Sequence, residues 1–455
     1  MAKLSVQSCL AEFVGTYLLV LTVGCNVLSS NPNWGGVSIA SVLMVMIYAL
    51  GGVSGANFNP AVSLALGLAG KMEDGWKQVG AYSVVQIFAG LLASVTYALL
   101  FQDTFAVGPT AGFTWWQAMI CELLYTFMLC FVVLNTAASK KLGGNNQFYG
   151  LAIGYVIVAG AYGSGAVSGG CFNPAVAIGI DAVGYSSGFG WCLLYTVFEL
   201  IGATLAVAGF ILMRPEEKYL GLEAPSEYGL QSKIVGEAIG TFFLVVTVGM
   251  NVLVASKAAA FSIAASLMVM IYSIGDVSGG HFNPAVTLAV VISGKIPHKE
   301  AGYYVAMQLA AGVLGAMVYE LVHGGDTFPL GPGLGFDWSS VAVAEIIFTF
   351  VLCFVVLCVA AVKVPPAPQF TGFIIGMCIT VGGLAIGKVS GGSLNPAVSL
   401  GIASARFSIG HGSFFPGVLY MIFELVGAAM ASGMFRLSHP EEFAEGAEKL
   451  PVAGY

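Results

Sequence analysis

The chain has 455 residues, 58% of them hydrophobic and 9% charged, with a net charge of -7. So little charge over so much apolar sequence excludes an ordinary soluble domain and makes the lipid bilayer the solvent of an all-α, multispanning membrane protein. The negative charge comes largely from a polar middle segment and a polar tail, and it points to no nucleic-acid partner.

Apolar stretches of about 20 residues, the length that crosses a bilayer, lie near 9–30, 37–55, 79–101, 115–138, 147–166 and 191–213. Six more lie near 232–255, 260–278, 301–322, 339–362, 369–387 and 414–436. The first sits where a signal sequence would, but Glu12 interrupts it and its counterpart recurs at Glu237, so a retained helix is expected. Asn-Pro-Ala-Val occurs four times between these stretches: Asn59, Pro60, Ala61; Asn173, Pro174, Ala175; Asn283, Pro284, Ala285; Asn395, Pro396, Ala397, with Val62, Val176, Val286 and Val398 following. Asn caps the free N–H groups of a helix start, and Pro fits the first helical position, where its missing donor costs nothing. The runs that follow, such as 60–70 and 174–183, are too short to span and predict re-entrant half-helices. Non-helical backbone at that depth survives only where protein buries it or where it lines a water-filled cavity.

The segment AEFVGTYLLVLTVG at 11–24 returns as GEAIGTFFLVVTVG at 236–249, and CELLYTFMLCFVVL at 121–134 returns as AEIIFTFVLCFVVL at 344–357. Tyr82 to Gln86, Tyr195 to Glu199, Tyr304 to Gln308 and Tyr420 to Glu424 mark the third span of each half-unit. Three spans per half invert the second copy against the first, the arrangement of inverted-repeat transport folds. The division is then 1–213 for the first unit, 214–231 for a solvent-exposed cytoplasmic linker, 232–437 for the second unit and 438–455 for a cytoplasmic tail. With the N-terminus inside, thirteen of the sixteen Lys and Arg residues are cytoplasmic, and only Lys257, Lys388 and Arg406 fall outside. The nine cysteines lie almost wholly within apolar segments and suggest no disulfide framework.

In each unit two half-helices enter from opposite faces and bring their N-termini together near the midplane, each with about half a positive charge from its dipole. That raises the cost for protons and other cations. With the Asn oxygen capping its own half-helix, the amide N–H groups are expected to point into the pore and orient passing water against proton hopping.

Boxes 114 residues apart in the first unit and 112 in the second, with Glu-bearing helices in matching places, make the chain resemble the aquaporin (major intrinsic protein) family over nearly its whole length. The resemblance implies two six-helix units in tandem, each a passive, proton-excluding channel for water without cofactor or metal, and a homo-oligomer in which two chains give four pores. It implies that Glu12, Glu122, Glu237 and Glu345 brace the half-helix loops. A proton relay is the alternative role for these acids. Many members place an Arg directly after the second box; here that position is Val176 and Val398, the latter as in some tonoplast intrinsic proteins, and the Arg-Asp pair of glycerol facilitators is missing. The other filter positions fall on Ile39, Ala161 and Gly170, and on Ile263, Gly383 and Gly392. Such a filter is wide, apolar and uncharged, and it adds urea, ammonia, hydrogen peroxide and glycerol to the permeant list. His323 and Lys388 are candidates to replace the lost charge in the second unit.

Asp276 and Lys388 stand where the first unit has Gly52 and Ala166, so the two pores differ; solvated surface charges are the simpler reading. Cys171, two residues before Asn173, is placed on the pore wall. A coupled secondary transporter and a structural membrane protein with closed pores are the rival classes. A carrier calls for charged groups at its midplane, where this chain offers neutral Asn.

Overall fold

The computed structural model describes residues 3–185, 189–218 and 222–444. They divide into two compact units at Ala224 and Pro225. Unit one contains α1 (Val6–Leu28), α2 (Gly35–Ser54), half-helix α3 (Pro60–Leu68), α4 (Gly75–Phe101), α5 (Trp115–Thr136), α6 (Tyr149–Ser168), half-helix α7 (Pro174–Val183) and α8 (Trp191–Met213). Unit two repeats the order as α9 (Leu230–Leu253), α10 (Ala259–Ser278), α11 (Pro284–Ile292), α12 (His298–Val322), α13 (Trp338–Val359), α14 (Thr371–Ser390), α15 (Pro396–Ser408) and α16 (Phe415–Ser438). Twelve of these helices are long and apolar enough to cross a membrane, and the chain is a multi-pass membrane protein.

Local chemistry sets the ends. Ser5 accepts from the Ser8 N–H to start α1, and Asp337 from the Ser340 N–H to start α13. A Val-Ser-Gly stops each of α2, α6, α10 and α14. Its glycine takes φ of 93°, 85°, 88° and 87° at Gly55, Gly169, Gly279 and Gly391, which turns the chain back into a loop as an L side chain rarely allows.

Within unit one α1 packs on α4 and α2, and α5 on α8 and α6, but the half-helices cross over: α7 rests on α4, and α3 on α8. Unit two repeats this with α15 on α12 and α11 on α16. Each half of a unit therefore holds the other half's re-entrant segment.

The expectation of a solvent-exposed linker from residue 214 is corrected. Arg214 is wholly buried with its Nε 2.7 Å from Asn135 Oδ1, and Glu216 and Glu217 are buried too. Pro215–Lys218 form a 3₁₀ turn in which Glu217 receives Lys71 Nζ and the Lys140 backbone N–H, each at 2.6 Å. The start of the tail is built alike: Glu442, in the turn Pro440–Phe443, receives Lys295 Nζ at 2.6 Å and the Lys363 N–H at 3.1 Å. Both segments carry Pro-Glu-Glu, whose carboxylates reach cations already present on the loops. Residues 445–455 of the tail, with Lys449, lie outside the described residues.

Candidate functional site

Each motif Asn does two jobs. Its Oδ1 accepts from the backbone N–H of the motif Ala, at 2.8 Å for Asn59 and Asn283 and 2.9 Å for Asn173 and Asn395, which caps the half-helix. Its Nδ2 donates to the carbonyl of the residue before the opposing Asn: Asn59 to Phe172 O at 2.8 Å, Asn173 to Phe58 O at 2.9 Å, Asn283 to Leu394 O at 2.8 Å and Asn395 to Phe282 O at 2.9 Å. The expectation that both amide N–H groups are free is therefore corrected. One closes a reciprocal clasp between the half-helices, and the second of the two donors remains for the lumen.

The residues whose carbonyls are clasped, Phe58, Phe172, Phe282 and Leu394, have φ of 52°, 52°, 50° and 55°. Bulky side chains rarely hold this left-handed conformation, so something must fix it. The four buried glutamates do. Glu12 Oε1 accepts from Ser54 Oγ at 2.6 Å and Asn57 N–H at 3.0 Å, and its Oε2 from Phe58 N–H at 2.7 Å and Gln86 Nε2 at 2.8 Å. Glu237 repeats this with Ser278, His281, Phe282 and Gln308. Glu122 takes Ser168 Oγ, Cys171 N–H and Phe172 N–H, and Glu345 takes Ser390 Oγ, Ser393 N–H and Leu394 N–H. Donors on charged acceptors make the stronger hydrogen bonds, which offsets the cost of burying each acid.

Two further acids take part that the sequence reading used only as repeat markers. Glu199 Oε1 accepts from the Asn173 N–H at 2.9 Å, and Glu424 Oε1 from the Asn395 N–H at 3.0 Å and Ser399 Oγ at 2.8 Å. The signal was the same as for Glu12, an acid in the middle of an apolar span.

A cavity of about 840 Å³ runs through unit one. Its wall holds Asn59, Asn173, Val62 and Val176, and also Ile39, Ala161, Gly170 and Cys171. It reaches from Lys71 and Ser139, at the end where α1 begins, to Val27, near the end where α1 finishes. In unit two the cavity between Asn283 and Asn395 is about 10 Å³, room for a single water. Ile263, Gly383 and Gly392 are half-buried and Val398 is buried, and none of them borders it. Of the eleven residues that line it, nine have a counterpart of the same type in unit one; the exceptions are Gly280 for Ala56 and His281 for Asn57. His281 is the one that adds bulk. Its Nδ1 lies 3.1 Å from Thr287 Oγ1 and its ring stands edge-on to Tyr304. Lys388 is exposed, and neither it nor His323 lines this cavity. Asp276, read as a solvated charge, is buried.

A family model, Major intrinsic protein, matches residues 2–212 and again 225–435. The chain is similar to a probable aquaporin NIP-type of Nicotiana alata, with 32% identity over 237 residues, 50% of this chain and 84% of that one. It is similar to aquaporin NIP1-1 of Zea mays, with 34% identity covering 47% of this chain and 77% of the relative. Nodulin-26 of Glycine max is 34% identical, covering 47% of this chain and 80% of the relative. Among solved structures it is similar to the aquaglyceroporin from Plasmodium falciparum, with 20% identity, a TM-score of 0.42, and coverage of 47% of this chain and 99% of that one. Likeness to tonoplast intrinsic proteins rests on the Val after the second box alone, whereas these relatives are of the NIP type or nodulin-26. Matched once over each unit and along most of its length, the chain belongs to the major intrinsic protein family, as a tandem fusion of two units of a passive channel for water and small solutes.

Proposed function

We propose that both units conduct water and exclude protons, and that unit one is the wider path, admitting urea, ammonia, hydrogen peroxide and glycerol. The observation that carries this reading is the 840 Å³ cavity, with both motif asparagines and Ile39, Ala161, Gly170 and Val176 in its wall and, among the described residues that line it, Lys71 at one end as the one charged side chain. A wide apolar filter imposes little size selection, while the two half-helix N-termini repel cations. Unit two, with His281 in place of Asn57, passes water in preference to larger solutes. Its filter is Ile263, Gly383, Gly392 and Val398.

The N- and C-terminal ends of the two units face the cytoplasm. The gathering of Lys71 and Lys140 round Glu217, and of Lys295 and Lys363 round Glu442, supports this through the positive-inside rule. Two chains of 47.0 kDa associate so that four units share one assembly, which native mass spectrometry tests.

Stopped-flow swelling of proteoliposomes tests the channel reading. Fast, non-saturating flux with a low temperature dependence and no proton leak is the expected result. Saturating or ion-coupled flux would mean a carrier, and no flux a structural role. In the same assay His281→Asn raises urea and glycerol flux, and an unchanged solute flux would remove His281 as the narrow point of unit two.

A further inference from the structure

The two halves of unit one brace their loops with the same carboxylate but with different partners on the third span. In the first half the Tyr82 hydroxyl donates to Ser54 O at 2.9 Å, and Gln86, four residues on, donates its amide to Glu12 Oε2 at 2.8 Å. In the second half the Tyr195 hydroxyl donates to Ser168 O at 2.6 Å, and the residue four further on, in the place of Gln86, is Glu199. Glu199 is wholly buried, and its Oε1 accepts from the Asn173 N–H. Its Oε2 has no N–H or O–H donor within reach. The carboxyl of Glu122 is its neighbour, for Glu122 Oε2 accepts from the Phe172 N–H at 2.7 Å and Glu199 Oε1 from the very next amide, that of Asn173, at 2.9 Å.

Among the described residues, no Lys, Arg or His bonds to this pair. The other titratable groups that face it are the Cys121 and Cys130 thiols of α5, the Cys171 thiol of the second loop and the Tyr195 phenol of α8. Asp181 of α7 faces Cys171 and accepts from the Gly190 and Cys192 N–H groups, while α3, which packs on α8, carries no titratable side chain. Two ionised carboxylates side by side in an apolar interior repel and lack solvation. A carboxylate also cannot donate a hydrogen bond, whereas a carboxylic acid can.

We propose that Glu199 is a neutral carboxylic acid whose O–H donates to the Glu122 carboxylate, so that one shared proton positions the second Asn-Pro-Ala loop of unit one. The O–H stands where Gln86 places an N–H in the first half. Its other oxygen holds Asn173, so Glu199 ties the box to the carboxylate that fixes Phe172. Glu199 is a positioning residue, and its link to flux rests on the channel reading above; the proton does not.

Infrared spectroscopy of the reconstituted full chain, with flux measured on the same vesicles, tests this. Wild type at neutral pH shows the carbonyl stretch of protonated carboxylic acid, and Glu199→Gln loses one such group while keeping its flux, because the amide N–H replaces the O–H. Glu199→Met, which supplies neither bond, lowers flux to the share carried by unit two. If the band is absent from wild type or survives intact in Glu199→Gln, Glu199 carries no proton and the proposal falls. If Glu199→Gln loses that one group's share of the band and the flux of unit one together, the positioning role falls. A protein with the band and no flux in any form keeps the proton and overturns the channel reading instead.

Discussion

Three phenylalanines and a leucine hold left-handed backbone directly before the motif asparagines, and a bulky L residue there costs about 1–2 kcal/mol. What holds them is charge: each loop lies under one glutamate with three or four donors on it. Glu12→Ala strands Ser54 Oγ, the Asn57 and Phe58 N–H groups and Gln86 Nε2, a loss of about 3–5 kcal/mol, as for breaking a buried charged network. Thermal unfolding in detergent checks it, and an unchanged midpoint would mean that the loop holds itself. Cys171 is 8% exposed and borders the cavity of unit one. A mercurial is therefore expected to block unit one alone, leaving the flux of unit two, and Cys171→Ser to abolish the effect; sensitivity that persists in the Ser variant would place the reactive thiol elsewhere. The brace was legible, because an acid inside an apolar span demands donors. Glu199 offered the same signal and passed as a repeat marker. The clasp was not legible, since the partner of Asn59 Nδ2 lies 113 residues along the chain.

At the level of elements, half-helix α7 approaches α4 so closely that a Cβ on Gly90 would lie 2.4 Å from Ala175 O; Gly312 stands in the same relation to Ala397 O in unit two. The obstacle is backbone and cannot swing aside. Gly90→Leu therefore has to push α7 off its seat, at about 1–3 kcal/mol for overpacking, and move Asn173 with it. The expected outcome is loss of solute flux through unit one and a lower thermal midpoint, with Gly80→Ala, where a Cβ meets nothing within 4 Å, as the unaffected control. Normal flux in Gly90→Leu would mean that the close approach does not position the box. Span and half-helix boundaries were readable to within a few residues, because hydropathy, Asn-Pro and Gly are local signals. Which helix receives which half-helix was not, since the small residues that permit contact do not name their partner.

Over the whole chain, both units finish in a Pro-Glu-Glu turn latched to the lysine that follows the first half-helix, Lys71 to Glu217 and Lys295 to Glu442. Burial opposes the charge on Glu442, but Lys295 and the Lys363 N–H outweigh it and hold its carboxyl below the usual carboxylate range. A carboxyl lowered by folding adds stability that is complete above its unfolded value of about 4.3 and is lost as pH falls through the lower folded value. Hydrogen exchange at the Lys363 amide, corrected for intrinsic rate, should thus lose protection on acidification, and Glu442→Gln should remove that dependence. Protection indifferent to pH in wild type would mean that the turn stands without the ion pair.

The sequence by itself determined the solvent, the twelve spans, the two units and the four boxes, because each follows from composition, length or a short motif along one stretch of chain. Tertiary structure decided the rest: that each Asn spends one N–H on the opposing loop, that residues 214–218 pack onto unit one, that His281 borders the small cavity between Asn283 and Asn395, and that Glu199 and Glu122 take consecutive amides of one loop. The reason is common to all four. They depend on side chains that distant helices bring together, and the hydropathy of a helix records that one face is buried without recording against what.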